Sequence, residues 1–255
     1  MTVRRLSALM LLCCCTSVCQ AAIKVSGEVR NPGPIPSTPE ARLLDVITAS
    51  QPDAQGYWLG AAWLRHPLLE QQTRLKAGVL FDLDTLHRAA LAAGREGRAR
   101  AAARLYQQVQ ALPVTGRQVA MLDPVAVEVG FAPNPLASDG DRLIYPPRPD
   151  DVRVLGAVTT ACRLVFQPMQ LARDYLHGCP PSAQADADYL WLIQPDGHVT
   201  RLGVAPWNRE EGAPPAPGST LLVPIRSDDL DPPTPELNQQ LAEFLATQPL
   251  AEVTP

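Results

Sequence analysis

The sequence predicts an α+β fold built from two related sheet-and-helix modules, and three observations indicate this class. Apolar residues alternate with polar ones through Ile23–Val29 and lead by way of a turn into a helical pattern. The same succession starts again in the second half of the chain. A helical stretch, 66–112, interrupts the first copy alone. We therefore expect modules at 22–148 and 149–230, followed by a terminal helix and tail at 231–255.

The first module opens with a half-buried strand, as the period-two alternation of Ile23–Val29 indicates. Asn31-Pro32-Gly33-Pro34 is rich in turn-forming residues. Thr38 suits the cap of a following helix, and Pro39 suits its first position. The apolar residues Leu43, Val46 and Ile47 then share one helical face. The expected unit is strand, turn, short return and helix.

A long helical stretch follows within this module. His66–Leu112 is typical of a helical hairpin or small bundle, broken at Gly94–Gly97. Alternating apolar residues in Val119–Val129 predict a return to the sheet, and Leu143–Tyr145 is the expected closing strand. Because the insertion belongs to the first module in sequence, we expect the second module to fold without it.

The second module repeats the first without interruption. Val152–Val158 reproduces the pattern of the opening strand, and Pro168–His177 is the predicted helix. Tyr189–Ile193 and His198–Leu202 flank a Pro-Asp-Gly turn and predict a β-hairpin. Leu221–Ile225 closes the sheet. A mixed sheet of this kind, entered by a strand pair and crossed by one helix, is a β-grasp arrangement.

The last helix is predicted from Thr234-Pro235-Glu236 onward. Leu237, Leu241, Phe244 and Leu245 lie on one face of it. It carries almost no basic residues, which disfavours binding to a membrane surface. Packing on its own protein and packing on a partner both remain open.

The N-terminus has the features of an export signal. Arg4 and Arg5 precede an apolar run that is too short to span a bilayer, and Cys19-Gln20-Ala21 is an acceptable cleavage site. We therefore predict a signal peptide at 1–21 and a periplasmic protein with no transmembrane segment after cleavage. Lipidation at Cys19 is the alternative.

Charge and cysteine content narrow the function further. The formal net charge of −4 becomes more negative once the arginines of the signal are removed, and an acidic chain without a basic patch argues against nucleic-acid binding. Cys162 and Cys179 are the two cysteines that remain after cleavage. In an oxidising compartment they predict one disulfide, with two free thiols as the alternative.

Several motifs resemble a known family when taken in order. The Val25-x-Gly27-x-Val29 pattern with Leu43-Leu44-Asp45-Val46 resembles the SLBB-type β-grasp modules of polysaccharide export proteins. The mature chain as a whole resembles the GfcC-type capsule and exopolysaccharide biosynthesis proteins. Its further markers are Tyr57-Trp58-x-Gly60-Ala61, Thr115-Gly116-Arg117, Leu122-Asp123-Pro124, Leu155-Gly156-Ala157-Val158, Trp207-Asn208 and Leu237-Asn238. The resemblance implies an exported protein with two β-grasp domains, a helical insertion and a C-terminal amphipathic helix.

Arg117 is the leading candidate for a ligand-binding residue. It follows the insertion at the point where the chain rejoins the sheet, and the resemblance places it in a recurring Thr-Gly-Arg motif. A guanidinium there can bind a carboxylate or phosphate with two hydrogen bonds. The alternative is a structural arginine that bonds backbone carbonyls or pairs with Asp123.

The aromatic segment is the second candidate for ligand binding. Tyr57, Trp58 and Trp63 have flat faces that suit the apolar faces of sugar rings, although burial in the core is the alternative. His66, His87, His177 and His198 have no metal-ligand spacing, so we expect no metal and no cofactor.

The sequence therefore favours a non-enzymatic accessory protein in capsule or exopolysaccharide assembly. Its partners would be the polysaccharide or the outer-membrane polysaccharide export machinery. The first alternative is an enzyme that modifies the exported glycan, using Arg117 with a carboxylate such as Asp123, but no recognisable catalytic motif supports it. The second alternative is a small-ligand binder, as fold analogy alone would suggest.

Overall fold

The computed structural model describes residues 21–226 and 234–250. Apart from Ala21, the predicted signal peptide lies outside the described residues, as do the start of the terminal segment and the last residues of the tail. Within the described part, no helix is long and apolar enough to cross a membrane. The chain forms two five-stranded mixed sheets with the same internal strand order, which confirms the predicted fold class and the repeat.

The first sheet has the order β2-β1-β5-β3-β4. Strands β1 and β5 pair in parallel, and the other neighbours are antiparallel. Leu143 lies opposite both Val25 and Trp63, so the middle of the sheet presents one continuous apolar face. The strands are β1 (Ala22–Gly27), β2 (Gly33–Pro36), β3 (Ala62–Leu64), β4 (Arg117–Gln118) and β5 (Arg142–Tyr145).

Helix α1 (Leu43–Ser50) packs its buried side chains against this face. It begins later than predicted, because Thr38 and Pro39 lie in the turn that precedes it. The carboxylate of Asp45 accepts a hydrogen bond from the backbone N–H of Arg42 at 2.8 Å, which caps the helix at that residue.

The second sheet repeats this order as β7-β6-β10-β8-β9. Its crossing element is a 3₁₀ helix, Ala172–His177, shorter than the predicted helix from Pro168. Met169 has a φ of 61°, a left-handed conformation that no helix continues through. The strands are β6 (Asp151–Gly156), β7 (Cys162–Val165), β8 (Tyr189–Ile193), β9 (Val199–Gly203) and β10 (Thr220–Val223).

The predicted return strand within Val119–Val129 is wrong. Strand β4 ends at Gln118, and helix α4 (Pro124–Glu128) follows. The Asp123 carboxylate accepts a hydrogen bond from the Val125 N–H at 3.0 Å and caps this helix. Pro124 occupies the first helical turn, where its fixed φ favours a helix. Local capping therefore outweighs the period-two alternation of the valines.

The insertion is a helical hairpin, as predicted. Helices α2 (Leu69–Ala92) and α3 (Glu96–Ala111) are joined by a turn in which Gly94 has a φ of 68°. Their buried side chains, including Leu83 and Leu105, share one hydrophobic core with Val152 and Leu222 of the second sheet. The insertion belongs to the first module in sequence but packs with the second, which argues against independent folding of the second module.

Helix α5 (Leu237–Ala246) completes the same core. Leu237, Leu241 and Phe244 are buried in it, so the helix packs on its own protein. The Asn238 side chain exchanges two hydrogen bonds with the backbone of Ile225, at 3.0 and 3.2 Å, and fixes the helix beside the second sheet. Gly78 of α2 permits a close approach to α5, since an added Cβ would lie 3.3 Å from the Gln240 side chain.

Candidate functional site

Three of the residues predicted to bind a ligand, Arg117, Tyr57 and Trp58, lie in two neighbouring regions, and Arg117 is in the first. It stands on the short strand β4 and is 3% exposed. One terminal nitrogen, Nη1, donates to the carbonyls of Ala246 and Gln248 at 3.2 and 3.1 Å. The other, Nη2, donates to the carbonyls of Ala61, at 3.1 Å, and Pro195. The guanidinium therefore connects the first sheet, the β8–β9 turn and the end of α5.

The residues of the Thr-Gly-Arg motif hold Arg117 in this position. Gly116 has a φ of 71°, and an added Cβ would lie 2.4 Å from the Arg65 carbonyl oxygen, so glycine is required there. The Thr115 hydroxyl donates to the Thr247 carbonyl at 2.7 Å. The Gln72 side chain bonds the backbone of both Gly116 and Arg117, each at 2.8 Å. Together these contacts hold β4 against α2 and α5.

The charge of Arg117 is compensated mainly by backbone dipoles. Burial lowers its pKa to about 10, and the carboxylate of Asp196 partly offsets that effect. Its four carbonyl partners match the structural alternative stated for this residue, while the ligand-binding role stays a prediction. Asp123 caps α4 instead of pairing with Arg117.

A small cavity of about 100 Å³ adjoins this junction. Arg117 and Arg153 both line it, together with the amide side chains of Gln194 and Gln248. The Nε atoms of both arginines are buried and have no hydrogen-bond partner among the described residues. Burial also lowers the pKa of Arg153, and Arg163 adds to that effect. The cavity thus offers donors, and it is large enough for a water molecule or a small acceptor group.

The second region is an open groove of about 510 Å³. Tyr57, Trp58, Arg148 and Pro217 are among the residues that line it. Tyr57 is largely buried, and its hydroxyl donates to the Pro217 carbonyl at 2.9 Å, which joins the two modules. Burial raises the pKa of this phenol to about 12, more than the nearby Arg148 lowers it. Tyr57 is therefore a fixed wall of the groove.

Trp58 and Arg148 are the accessible groups of the groove. Trp58 is 39% exposed, and the Arg148 guanidinium lies 5.7 Å from the centre of the Tyr57 ring. The groove and the cavity share one segment, because Ala216 and Pro217 line the groove and Gly218 lines the cavity. An exposed aromatic ring beside a cation can contact the apolar face of a sugar and its acidic substituent at once.

Trp63 is part of the core, as the alternative for the aromatic segment predicted. Its ring is 1% exposed, and its indole N–H donates to the Asp141 carboxylate at 3.0 Å. Arg65 stacks 4.3 Å from the ring centre and pairs with Asp141 at 3.2 Å. This tryptophan is unavailable to a ligand.

Arg148 and Arg153 were not among the residues predicted to bind a ligand. Arg148 lies in the proline-rich stretch Pro146–Pro149, which carries no binding motif. Arg153 lies in β6 between the buried Val152 and Val154, on the opposite face of the strand. An arginine within an apolar strand was the available sequence signal that this side chain is partly buried. Neither pattern reveals which distant segment the side chain will meet.

The remaining predictions for the site concern the two cysteines and a metal ion. Cys162 and Cys179 form a disulfide bond with a Cα–Cα distance of 6.1 Å. It links the edge strand β7 to the segment after the 3₁₀ helix, away from both regions above. In the part of the chain that the structure describes, no group of three metal-ligating side chains comes together.

Comparisons with known proteins match this chain to two family models and to relatives that include a bacterial protein. A family model described as capsule biosynthesis GfcC, N-terminal, matches residues 19–146, and one described as capsule biosynthesis GfcC C-terminal matches residues 160–249. The chain is also 34% identical over 142 residues to the uncharacterized protein YjbG of Escherichia coli (strain K12). That alignment spans 55% of this chain and 57% of the length of YjbG.

Proposed function

Because this chain belongs to the GfcC family of capsule biosynthesis proteins, we propose that it is a periplasmic accessory protein that binds the polysaccharide during capsule assembly. The protein presents the polymer without changing its covalent structure. The predicted signal peptide at 1–21 supports this location, because such a segment directs export from the cytoplasm. The export machinery would receive the polymer from it.

The groove of Tyr57, Trp58 and Arg148 carries this proposal. Its wall is held in place before any ligand arrives, because Tyr57 is fixed by the bond to Pro217. Trp58 offers a partly exposed aromatic ring, and the exposed cation of Arg148 lines the same groove. An open groove of this kind accommodates an internal segment of a long chain, whereas a closed pocket would admit only an end.

The proposal is tested by removing the two accessible groups. Trp58→Ala and Arg148→Gln should each weaken binding of the organism's surface polysaccharide by about tenfold, because each loses one stacking or charged contact. Equilibrium binding to the purified polymer measures this, and cells carrying the variants should display less capsule. The melting temperature of Arg148→Gln should change little, since this side chain is exposed, and Trp58→Ala should remain folded because Trp58 is partly exposed.

Phe81→Ala is the matched control. Phe81 is 66% exposed on α2 and lines neither the groove nor the cavity, so its loss should leave binding unchanged. Full affinity in Trp58→Ala and Arg148→Gln would overturn the groove as the binding site. Cleavage or modification of the polymer by the purified protein would instead favour the glycan-modifying enzyme.

A further inference from the structure

The second module contains a separate cleft of about 650 Å³. It lies between the 3₁₀ helix Ala172–His177 and the segments that follow β9 and β10. Leu190 and Val223 form part of its apolar floor. None of the residues that line the groove or the small cavity line this cleft. A second binding surface is therefore available on the same protein.

Three arginines from three separate segments converge on the cleft, namely Arg173, Arg209 and Arg226. Arg209 is exposed, and its guanidinium makes no hydrogen bond or ion pair with any described residue. Arg226 is also exposed; its backbone N–H donates to Gln184, but its side chain is likewise uncommitted among the described residues. Arg173 makes one long bond to the Glu210 carbonyl, at 3.4 Å.

Two carboxylates, Asp174 and Asp186, also line the cleft. Asp174 forms a long ion pair with Arg173 at 3.8 Å, beyond hydrogen-bonding distance, and leaves Arg209 and Arg226 unpaired among the described residues. The Asp186 carboxylate accepts from the backbone N–H groups of Asp188 and Tyr189, at 2.7 and 3.3 Å, and stabilises the turn before β8. The cleft thus holds more cationic than anionic side chains, although the whole chain has a net charge of −4.

An aromatic pair lies at the cleft, and one member, Tyr189, lines it. The Arg201 guanidinium lies 4.4 Å from the centre of the Tyr189 ring. Trp207 meets Tyr189 edge to face, with 6.4 Å between ring centres, and its indole N–H donates to Asp188 at 3.3 Å. Trp207 is nevertheless 69% exposed. A large aromatic ring held by two contacts and open to solvent is a preorganised surface for the face of a sugar.

We propose that this cleft is a second saccharide site that binds carboxylate-bearing sugars, with Arg209 and Arg226 on the carboxylates and Trp207 on a ring face. The inference rests on the proposed function and specifies its ligand class as acidic glycan. Guanidinium groups bind carboxylates with two parallel hydrogen bonds, and uncommitted ones lose no existing partner on binding. One polymer could then be bound at two places along its length, which raises its overall affinity.

The test uses tetragalacturonate and its methyl ester as probes with the full mature chain. Tetragalacturonate should bind the wild-type protein, and its uncharged methyl ester should bind at least about tenfold more weakly. The double variant Arg209→Glu/Arg226→Glu should lose at least about tenfold in affinity for tetragalacturonate. Arg30→Glu is the control, because Arg30 is also exposed and its side chain makes no hydrogen bond or ion pair with any described residue.

Comparison with Trp58→Ala separates this inference from the proposed function. Trp207→Ala should weaken tetragalacturonate binding, whereas Trp58→Ala should leave binding at the cleft intact. If the ester binds as well as the acid, or if the double variant keeps full affinity, the cleft proposal is wrong while the groove can still hold. If inorganic phosphate displaces tetragalacturonate stoichiometrically and Trp207→Ala does not change tetragalacturonate binding, the cleft is a simple anion site. That result also overturns the proposal.

Discussion

At the scale of single residues, Arg117 acts as a cross-link between parts of the chain that are far apart in sequence. Its guanidinium supplies donors to carbonyls at the end of α5, in the β8–β9 turn and beside β3. A cation near the last carbonyls of a helix is also favoured by the helix dipole. Removal of the side chain would leave buried acceptors without donors, which costs more than the bonds contribute.

Arg117→Ala should therefore lower the free energy of unfolding by about 3 kcal/mol or more. Arg117→Lys keeps the charge but cannot donate to carbonyls in several directions. Its free energy of unfolding should therefore fall between those of the wild type and Arg117→Ala. Chemical denaturation measures both. Arg100→Ala, at an exposed position on α3, should change stability by less than about 0.5 kcal/mol. Unchanged stability together with lost polymer binding would instead favour the ligand-binding role.

The sequence could identify Arg117 as special but could not supply its partners. The glycine before it and its place after the insertion are local signals. Its partners, such as Pro195 and Ala246, come from segments that no local pattern connects to it. For Trp58, the sequence predicted an aromatic face, yet the exposure that distinguishes it from Trp63 depends on the packing of β3. Arg148 and the arginines of the second cleft were missed for the same reason.

At the scale of elements, the period-two alternation predicted strands well where no helix-capping interaction acted on the same residues. Both opening strands, both closing strands and the hairpin of β8 and β9 lie where the alternation indicated. The prediction failed where a short-range hydrogen bond determined the element. Asp123 caps α4 in place of the predicted strand, and the bond from Arg42 to Asp45 sets the late start of α1. Helix boundaries depend on single hydrogen bonds, and a periodicity window averages over them.

The disulfide links the segment after the short 3₁₀ helix to the edge strand β7, and we expect it to stabilise this part of the second module. The double variant Cys162→Ser/Cys179→Ser should lose about 3 kcal/mol of stability, because the unfolded chain regains the entropy of an open loop. Reduction of the wild-type protein should produce a similar loss, and the same reductant should leave the double variant unaffected. Equal denaturation midpoints for the oxidised and fully reduced wild type would contradict this expectation.

At the scale of the whole molecule, the two modules are not independent bodies. The insertion of the first module and α5 together cover the second sheet, and Leu83 and Phe244 lie in the same core as Leu222. Tyr57 and Thr115 add hydrogen bonds from the first module to Pro217 and Thr247. The sequence correctly predicted the repeat, but the side on which the insertion packs is a tertiary property that its amphipathic pattern leaves open.

Replacing α2 and α3 with a short glycine–serine linker should therefore destabilise the second sheet as well as the first. The apolar residues of the second sheet that the insertion buries would become exposed to water. Hydrogen exchange should show reduced protection of amides in β6 and β10. Leu91→Ser, at a position 52% exposed on α2, should leave that protection unchanged. Full protection of β6 and β10 after the replacement would restore the two-module account.

The parallel pairing of the first and last strands in each sheet has a kinetic consequence. Lys24 pairs with Arg142 in the first sheet and Arg153 pairs with Thr220 in the second, so the first pairing spans a much longer stretch of chain. Closing a longer loop costs entropy, about 0.6 kcal/mol for each doubling of its length. Because the contacts between α2 and α3 are local in sequence, we expect the hairpin to form early and to bring the ends of the insertion together, where Leu64 pairs with Arg117. We therefore expect the insertion, although it lengthens the first module, to shorten the effective loop that its sheet must close.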